Sequence, residues 1–105
     1  MTTPLPPGVS LMSALKDLND SLRVDIMDAL DKKAVEDLAE AALNVILGRI
    51  PASNEQLGKL RRYKSELLEL TAGNTSEKRR LAILKERGLF RSVASATDNV
   101  RRAQV

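Results

Sequence analysis

Lysine and arginine are the residues of this chain whose number and spacing point to a chemistry, and that chemistry is the binding of a polyanion. From Ser53 to Val105 there are twelve Lys and Arg against six acids, a net charge of +6. Met1 to Ala52 carries five basic residues against eight acids, a net charge of −3. An acidic half joined to a basic half indicates separate binding tasks. The predicted nucleic-acid-binding residues are Lys59, Arg61, Arg62, Lys64, Lys78, Arg79, Arg80 and Arg87.

The first basic cluster divides between two sides of its predicted helix when residues are placed at about 100° each. Lys59 follows Glu55 by one turn, and Arg62 precedes Glu66 by one turn. Intrahelical ion pairs are therefore the simplest account of these two cations, and a solvated helix face explains half of the cluster. The other side, flanking the apolar stripe, carries Arg61 and Lys64.

The second basic cluster has few acids beside it in the sequence. Arg79, Arg80 and Arg87 fall within one arc of the predicted helix, with Glu77 and Glu86 as the acids nearby. Three guanidinium groups on one arc suit a sugar-phosphate backbone, because each is always charged and presents a planar fork of donors. A surface that is merely soluble is the alternative interpretation, and the residues alone favour neither.

The chain has few side chains that could recognise individual bases. Its aromatic residues are Tyr63 and Phe90, and both are better explained as packing residues. Stacking of unpaired bases on aromatic rings is therefore not expected. If nucleic acid is the partner, backbone electrostatics with weak sequence preference should dominate, and the affinity should fall steeply with salt.

Composition argues against catalysis and against bound cofactors. The chain has no His and no Cys, which removes the commonest general base and transition-metal ligand and excludes disulfides. No nucleophile elbow, phosphate-binding Gly loop or paired-carboxylate motif is found, so we expect no enzyme activity, cofactor or metal. No apolar run approaches the roughly 20 residues of a transmembrane helix. A soluble intracellular protein is expected, with the virion or the nucleus as candidate locations.

Apolar residues recur at helical spacing along most of the chain and predict an all-α fold, a small bundle of four or five short helices with flexible termini. The predicted domain, residues 10–90, consists of an acidic half, 10–52, and a basic helical hairpin, 53–90. A flexible tail, 1–9, precedes it, and a polar, loosely held tail or weak helix, 91–105, follows it. The predicted helices are Ser10 to Asp31, Lys33 to Leu47, Asn54 to Ala72 and Thr75 to Arg87.

Capping and stop signals set the expected helix ends. Asn19 to Ser21 are good capping residues, so the first segment is either one helix or two short helices meeting at Asp20. Gly48 is placed to end the next helix. Ser53 to Gln56 matches a capping box, Asn74 to Glu77 is a second candidate, and Gly88 is predicted to stop the last helix.

The acidic half has its own candidate surface. Five aspartates follow the helix period and are typical of the solvated side of a helix. A calcium-type site is disfavoured because no oxygen-rich loop accompanies them. Alternatively, this acidic surface docks the basic hairpin, either within one chain or between subunits. The aspartates are Asp17, Asp20, Asp25, Asp28 and Asp31.

Leu43 to Phe90 resembles a short basic protein of polinton-type transposons and adintovirus-like DNA viruses of animals. The residues that carry the resemblance are Asn44-Val-Ile-Leu-Gly48, Ile50-Pro51, Leu60-Arg-Arg-Tyr-Lys64 and Lys78-Arg-Arg-Leu-Ala-Ile-Leu-Lys-Glu-Arg-Gly88. The resemblance implies a virion-associated or genome-associated role. The chain departs from the family at Leu89, where the family has a second glycine, and in its polar tail.

Two hypotheses of different classes follow. The first is a small virus-like or transposon-like protein that binds nucleic acid or another polyanion through the basic helical hairpin, while its acidic half assembles with partners such as a capsid-type protein. The second is a structural or adaptor module whose apolar stripes and opposite charges mediate homo- or hetero-oligomerisation.

Overall fold

The structure, a computed structural model, describes residues 5–103 and contains seven α-helices and no strand within them. The all-α prediction is confirmed, whereas the predicted number of four or five helices is too small. The helices are α1 (Val9–Lys16), α2 (Asp20–Asp28), α3 (Lys32–Ile46), α4 (Asn54–Arg61), α5 (Lys64–Thr71), α6 (Glu77–Lys85) and α7 (Arg87–Ala103).

Local capping explains where several helices begin. The Asn19 side chain accepts a hydrogen bond from the Leu22 amide at 2.9 Å, so the first segment divides into α1 and α2. The capping box at Ser53 is confirmed, because the Ser53 hydroxyl accepts from the Gln56 amide while the Gln56 side chain accepts from the Ser53 amide. The second box is displaced: Ser76, not Asn74, caps α6.

The core has α3 at its centre. This helix packs against α1, α5, α6 and α7, so the acidic and basic halves of the sequence share one interior. Val35, Leu38 and Ala42 face that interior and are almost completely buried. Gly48 follows α3 with a φ of 76°, a left-handed conformation that ends the helix as the sequence predicted.

The predicted polar tail is wrong for the part that the structure describes. α7 extends to Ala103 and packs against α1, α3, α4 and α6, with Val93, Ala94 and Ala96 buried. Small residues at these positions let α7 approach its neighbours closely, which is why a segment poor in large apolar residues still belongs to the core. Asp98 is also tied down, by an ion pair of 3.0 Å with Lys16.

The predicted flexible tail at the other end falls partly outside residues 5–103. Of that segment, Leu5 packs against the core, and Val9 opens α1 and is fully buried. Within the described range no helix is long and apolar enough to cross a membrane.

The predicted helix from Asn54 to Ala72 is broken into α4 and α5. Tyr63, at the break, has φ −112° and ψ 24° and is not helical. Its ring lies against Gly88: a Cβ on Gly88 would come within 2.9 Å of the Tyr63 Cζ and closer still to the hydroxyl. Gly88 therefore makes room for the Tyr63 ring. It does not stop a helix, since α6 already ends at Lys85 and Glu86 caps α7 by accepting from the Leu89 amide at 2.7 Å.

Candidate functional site

The three arginines predicted to form an unpaired arc are all engaged within the chain, so that prediction is wrong. The guanidinium of Arg79 binds both carboxylate oxygens of Glu69, at 2.7 and 2.8 Å. Arg80 donates to the Ala72 carbonyl at 2.9 Å, and Arg87 pairs with Asp20 at 3.1 Å. These partners come from other helices and loops, which helical wheels of single segments cannot reveal.

Asp20 is the centre of the contact between the acidic and the basic half. It pairs with Arg87 and, at 3.6 Å, with Arg91, both on α7. Arg23, one turn further along α2, is buried with its guanidinium 4.6 Å from the centre of the Phe90 ring and within 3.8 Å of Asp20. The prediction that the acidic surface docks the basic hairpin within one chain is confirmed for Asp20 and also for Asp28, which pairs with Lys85.

The bidentate pair between Arg79 and Glu69 has a titration signature. The hydrogen bonds from Arg79 lower the pKa of the Glu69 carboxyl below its ordinary value, because they stabilise the charged form. A depressed folded-state pKa means that the pair stabilises the fold above the unfolded-state pKa and stops doing so as the pH falls through the folded-state pKa.

We therefore expect Arg79→Gln to raise the Glu69 pKa toward its ordinary value, since the charged form loses both hydrogen bonds. Carbon-detected NMR titration of the Glu69 side chain measures this directly. Lys78→Gln, on the same helix, is the matched control and should leave that pKa nearly unchanged. An equal pKa in the wild-type protein and the Arg79→Gln variant would contradict the pairing.

The first basic cluster is divided by the break between α4 and α5. Lys59 pairs with Glu55 at 3.7 Å, as predicted. No ion pair joins Arg62 to Glu66 within residues 5–103, because α4 ends at Arg61 while Glu66 belongs to α5, and the two residues do not share a continuous helical face.

Four of the eight predicted cations remain exposed without an ion pair in the described part of the chain. Three of them lie around the bend within four consecutive positions, and the fourth lies separately on α6. These four could contact a polyanion without the loss of an ion pair within the chain. They are Arg61, Arg62, Lys64 and Lys78.

An apolar groove opens where the end of α3 meets α4 and α5. Its floor contains Leu60 and Leu67, which are nearly buried, and its walls include Ile46 and Leu68, which are 43% and 56% exposed. The volume of the groove is about 240 Å³. Beside it, Leu47 is 53% exposed at the end of α3. Large aliphatic side chains grouped at the surface of a small protein are typical of an interaction site.

The rim of this groove is basic. Arg61 and Lys64 line it, in agreement with the prediction that these two cations flank the apolar stripe. Their long side chains can cover apolar surface with their methylene groups while the charges remain in water. The groove can therefore bind a ligand that offers aliphatic side chains to the floor and negative charge to the rim.

The walls of the groove were not predicted as a binding surface. Ile46, Leu57 and Leu68 are not among the candidate site residues that the sequence indicated. The signal in the sequence was Leu68, a large aliphatic residue that lies beside the apolar face of Leu60, Leu67 and Leu70, where a polar residue would be expected. Leu57 on α4 and Leu68 on α5 become parts of one surface only because the chain bends after Arg62.

The lining of the groove is aliphatic apart from the two cations Arg61 and Lys64. Within residues 5–103 no three acidic side chains lie close enough together to hold a metal ion. Comparisons with protein-family models, with curated proteins and with solved structures gave no significant match to this chain.

Proposed function

We propose that this protein is a non-enzymatic helical interaction module that binds a partner protein in the groove between α3, α4 and α5. The observation that carries the proposal is the grouping of Ile46, Leu57 and Leu68 at the surface beside Arg61 and Lys64. Apolar walls with charge confined to the rim are the usual anatomy of a protein interface.

The geometry favours this function over the polyanion hypothesis because several of the predicted cations are already paired within the chain. Lys59, Arg79 and Arg87 are paired with carboxylates of the same chain, so binding a phosphate backbone would require breaking those pairs. Arg61 and Lys64 need no such exchange, yet they stand beside aliphatic side chains that a sugar-phosphate backbone cannot use. The arrangement suits an amphipathic helix that carries aliphatic and acidic residues.

The test is an NMR titration with a synthetic amphipathic helix carrying Leu at positions i, i+3 and i+7 and Glu on the flanks. Amide shifts should concentrate in α4, α5 and the end of α3, because the peptide would cover that groove. The same peptide with Lys flanks should bind at least about tenfold more weakly, since its charges would face Arg61 and Lys64.

Leu68→Glu is the decisive variant, because it puts a carboxylate on the groove wall at an exposed position that the fold does not need. Ala82→Glu, at an exposed position on α6, is the matched control. Loss of the shifts in the first variant and retention in the second would support the proposal. Shifts spread over other helices, or none at millimolar peptide, would overturn it.

A second candidate function is binding of nucleic acid at the bend. One observation favours it: Arg61, Arg62 and Lys64 are exposed and without an ion pair among the described residues, so all three could contact phosphates without breaking a pair within the chain. This surface would match the genome-associated role that the resemblance to polinton-type and adintovirus-like proteins implies. Lys78 would add a fourth contact only on a ligand long enough to reach α6.

Titration of double-stranded DNA and RNA at low and moderate salt tests this candidate. Replacing Arg61, Arg62 and Lys64 together by Gln should abolish binding, and the wild-type salt slope should be about −3 in log units for three phosphate contacts. Replacing Arg79 and Arg87 by Gln is the control and should cost little affinity. Equal loss in both variants, or no binding at low salt, would contradict it.

A further inference from the structure

We infer that the groove receives α2 of a second copy of this chain, so that the protein assembles head to tail. This inference rests on the proposed function of the groove and names its partner. It follows from a second exposed surface in the same chain, which is apolar like the groove and carries the opposite charge.

The complementary surface is the outer face of α2. Leu22 and Ile26 lie one turn apart on it and are 45% and 37% exposed, and Ala29 continues the same exposed stripe. The buried residues Arg23 and Met27 lie on the adjoining side of the helix. α2 packs inside its own chain chiefly against α6 and leaves the stripe of Leu22 and Ile26 exposed.

The break at Asn19 is the physical reason for this exposure. A continuous first helix would place Leu22 and Ile26 on the stripe of Leu11, Leu15 and Leu18, facing the core. Because α2 starts anew, the buried Arg23 fixes its rotation instead, through the Phe90 ring and the Lys85 carbonyl. The aliphatic residues of the stripe are turned outward.

Charge complementarity selects the groove as the site for this face. Asp25 is exposed beside the stripe of Leu22 and Ile26, and the structure gives it no ion pair within residues 5–103. The groove has the opposite arrangement, with aliphatic walls and the cations Arg61 and Lys64 on the rim. Two short apolar anchors one turn apart, with one carboxylate at their side, match such a groove.

The two surfaces belong to different parts of the chain, so the contact is heterologous. Each copy would offer α2 to one neighbour and its groove to another. Such contacts either close into a ring or continue as an open chain, with mass rising as concentration rises. A two-fold dimer made from the same patch on both copies would behave differently, and this difference makes the inference testable.

Analytical ultracentrifugation of two variants, alone and mixed, is the experiment. Leu68→Glu removes the groove and keeps α2, whereas Ile26→Glu removes the α2 face and keeps the groove. Wild-type protein should show a mass above that of the monomer that rises with concentration. Each variant alone should stay monomeric up to at least about ten times the concentration at which the wild type begins to assemble. An equimolar mixture should form a one-to-one dimer, because one groove and one α2 face remain intact.

Ala82→Glu is the control and should assemble like the wild type, and circular dichroism should show all variants to be folded. A monomeric mixture would overturn the inference, as would an Ile26→Glu variant that still assembles. Monomeric wild-type protein that nevertheless binds the acidic peptide would overturn the second copy as partner while leaving the proposed function intact. Assembly that survives Leu68→Glu would overturn this use of the groove.

Discussion

Deletion of residues 91–105 is expected to unfold this protein. The deletion removes most of α7, with its own buried side chains, and exposes the side chains of α1 that pack against it. Burial of each large aliphatic side chain contributes about 1.5–3 kcal/mol, so the loss approaches the 5–15 kcal/mol by which a typical domain is stable. The buried side chains concerned are Val93, Ala94 and Ala96 on α7 and Val9, Met12 and Leu15 on α1.

The measurement is far-ultraviolet circular dichroism with thermal and urea unfolding of the truncated and full-length chains. We expect low helicity and no cooperative transition after truncation. Polar contacts would be lost too, including the hydrogen bond of 2.7 Å that the Asn99 side chain donates to Gln56 Oε1 and the ion pair between Lys16 and Asp98. A truncated chain with the wild-type melting curve would contradict the assignment of α7 to the core.

A matched pair of substitutions makes the same test without removing residues. Ala96 is fully buried, whereas Ser95, its neighbour in α7, is exposed. Ala96→Asp would bury an unpaired carboxylate and should lower the free energy of unfolding by about 3–5 kcal/mol. Ser95→Asp should change it by about 1 kcal/mol or less. Similar effects of the two would indicate that this segment is not packed.

Gly8→Ala is expected to be the most damaging conservative substitution. Gly8 precedes α1 with a φ of 81°, in the left-handed region that residues with a Cβ adopt at a cost of about 1–3 kcal/mol. A Cβ there would also lie 2.6 Å from the carbonyl carbon of Asp37 and closer still to its oxygen. Since backbone cannot move aside as a side-chain tip can, overpacking adds roughly 1–3 kcal/mol.

The total expected loss in the free energy of unfolding for Gly8→Ala is about 2–6 kcal/mol, measured by urea unfolding. Gly58→Ala is the control of opposite sign. Gly58 lies inside α4, and a Cβ there would meet nothing within 4 Å. Alanine should therefore stabilise the protein by about 0.5–1 kcal/mol. Equal effects at the two glycines would contradict the close approach of Gly8 to α3.

The sequence was a good guide wherever a few neighbouring residues decide the conformation. The capping box at Ser53, the end of α3 at Gly48 and the pair of Glu55 with Lys59 were all predicted correctly. Each depends on contacts that span no more than four residues. For the same reason, the helical character of most of the chain could be predicted from apolar spacing alone.

The candidate site could be predicted only in part. The sequence placed Arg61 and Lys64 beside an apolar stripe, and the structure places them at the groove. It did not predict the break at Tyr63, whose ring packs against Gly88, 25 positions later in the chain. It also left Arg79 unpaired, since Glu69 lies beyond the turn that separates their helices.

The basic character of the second half was thus determined by the amino-acid sequence itself, together with the all-α class and the local caps. Only the tertiary structure decided which cations are neutralised and which remain available. Asp20 reaches Arg87 and Arg91 because α2 is held beside the start of α7 by the buried Arg23. Packing between distant segments fixes such distances, and a one-dimensional pattern does not contain them.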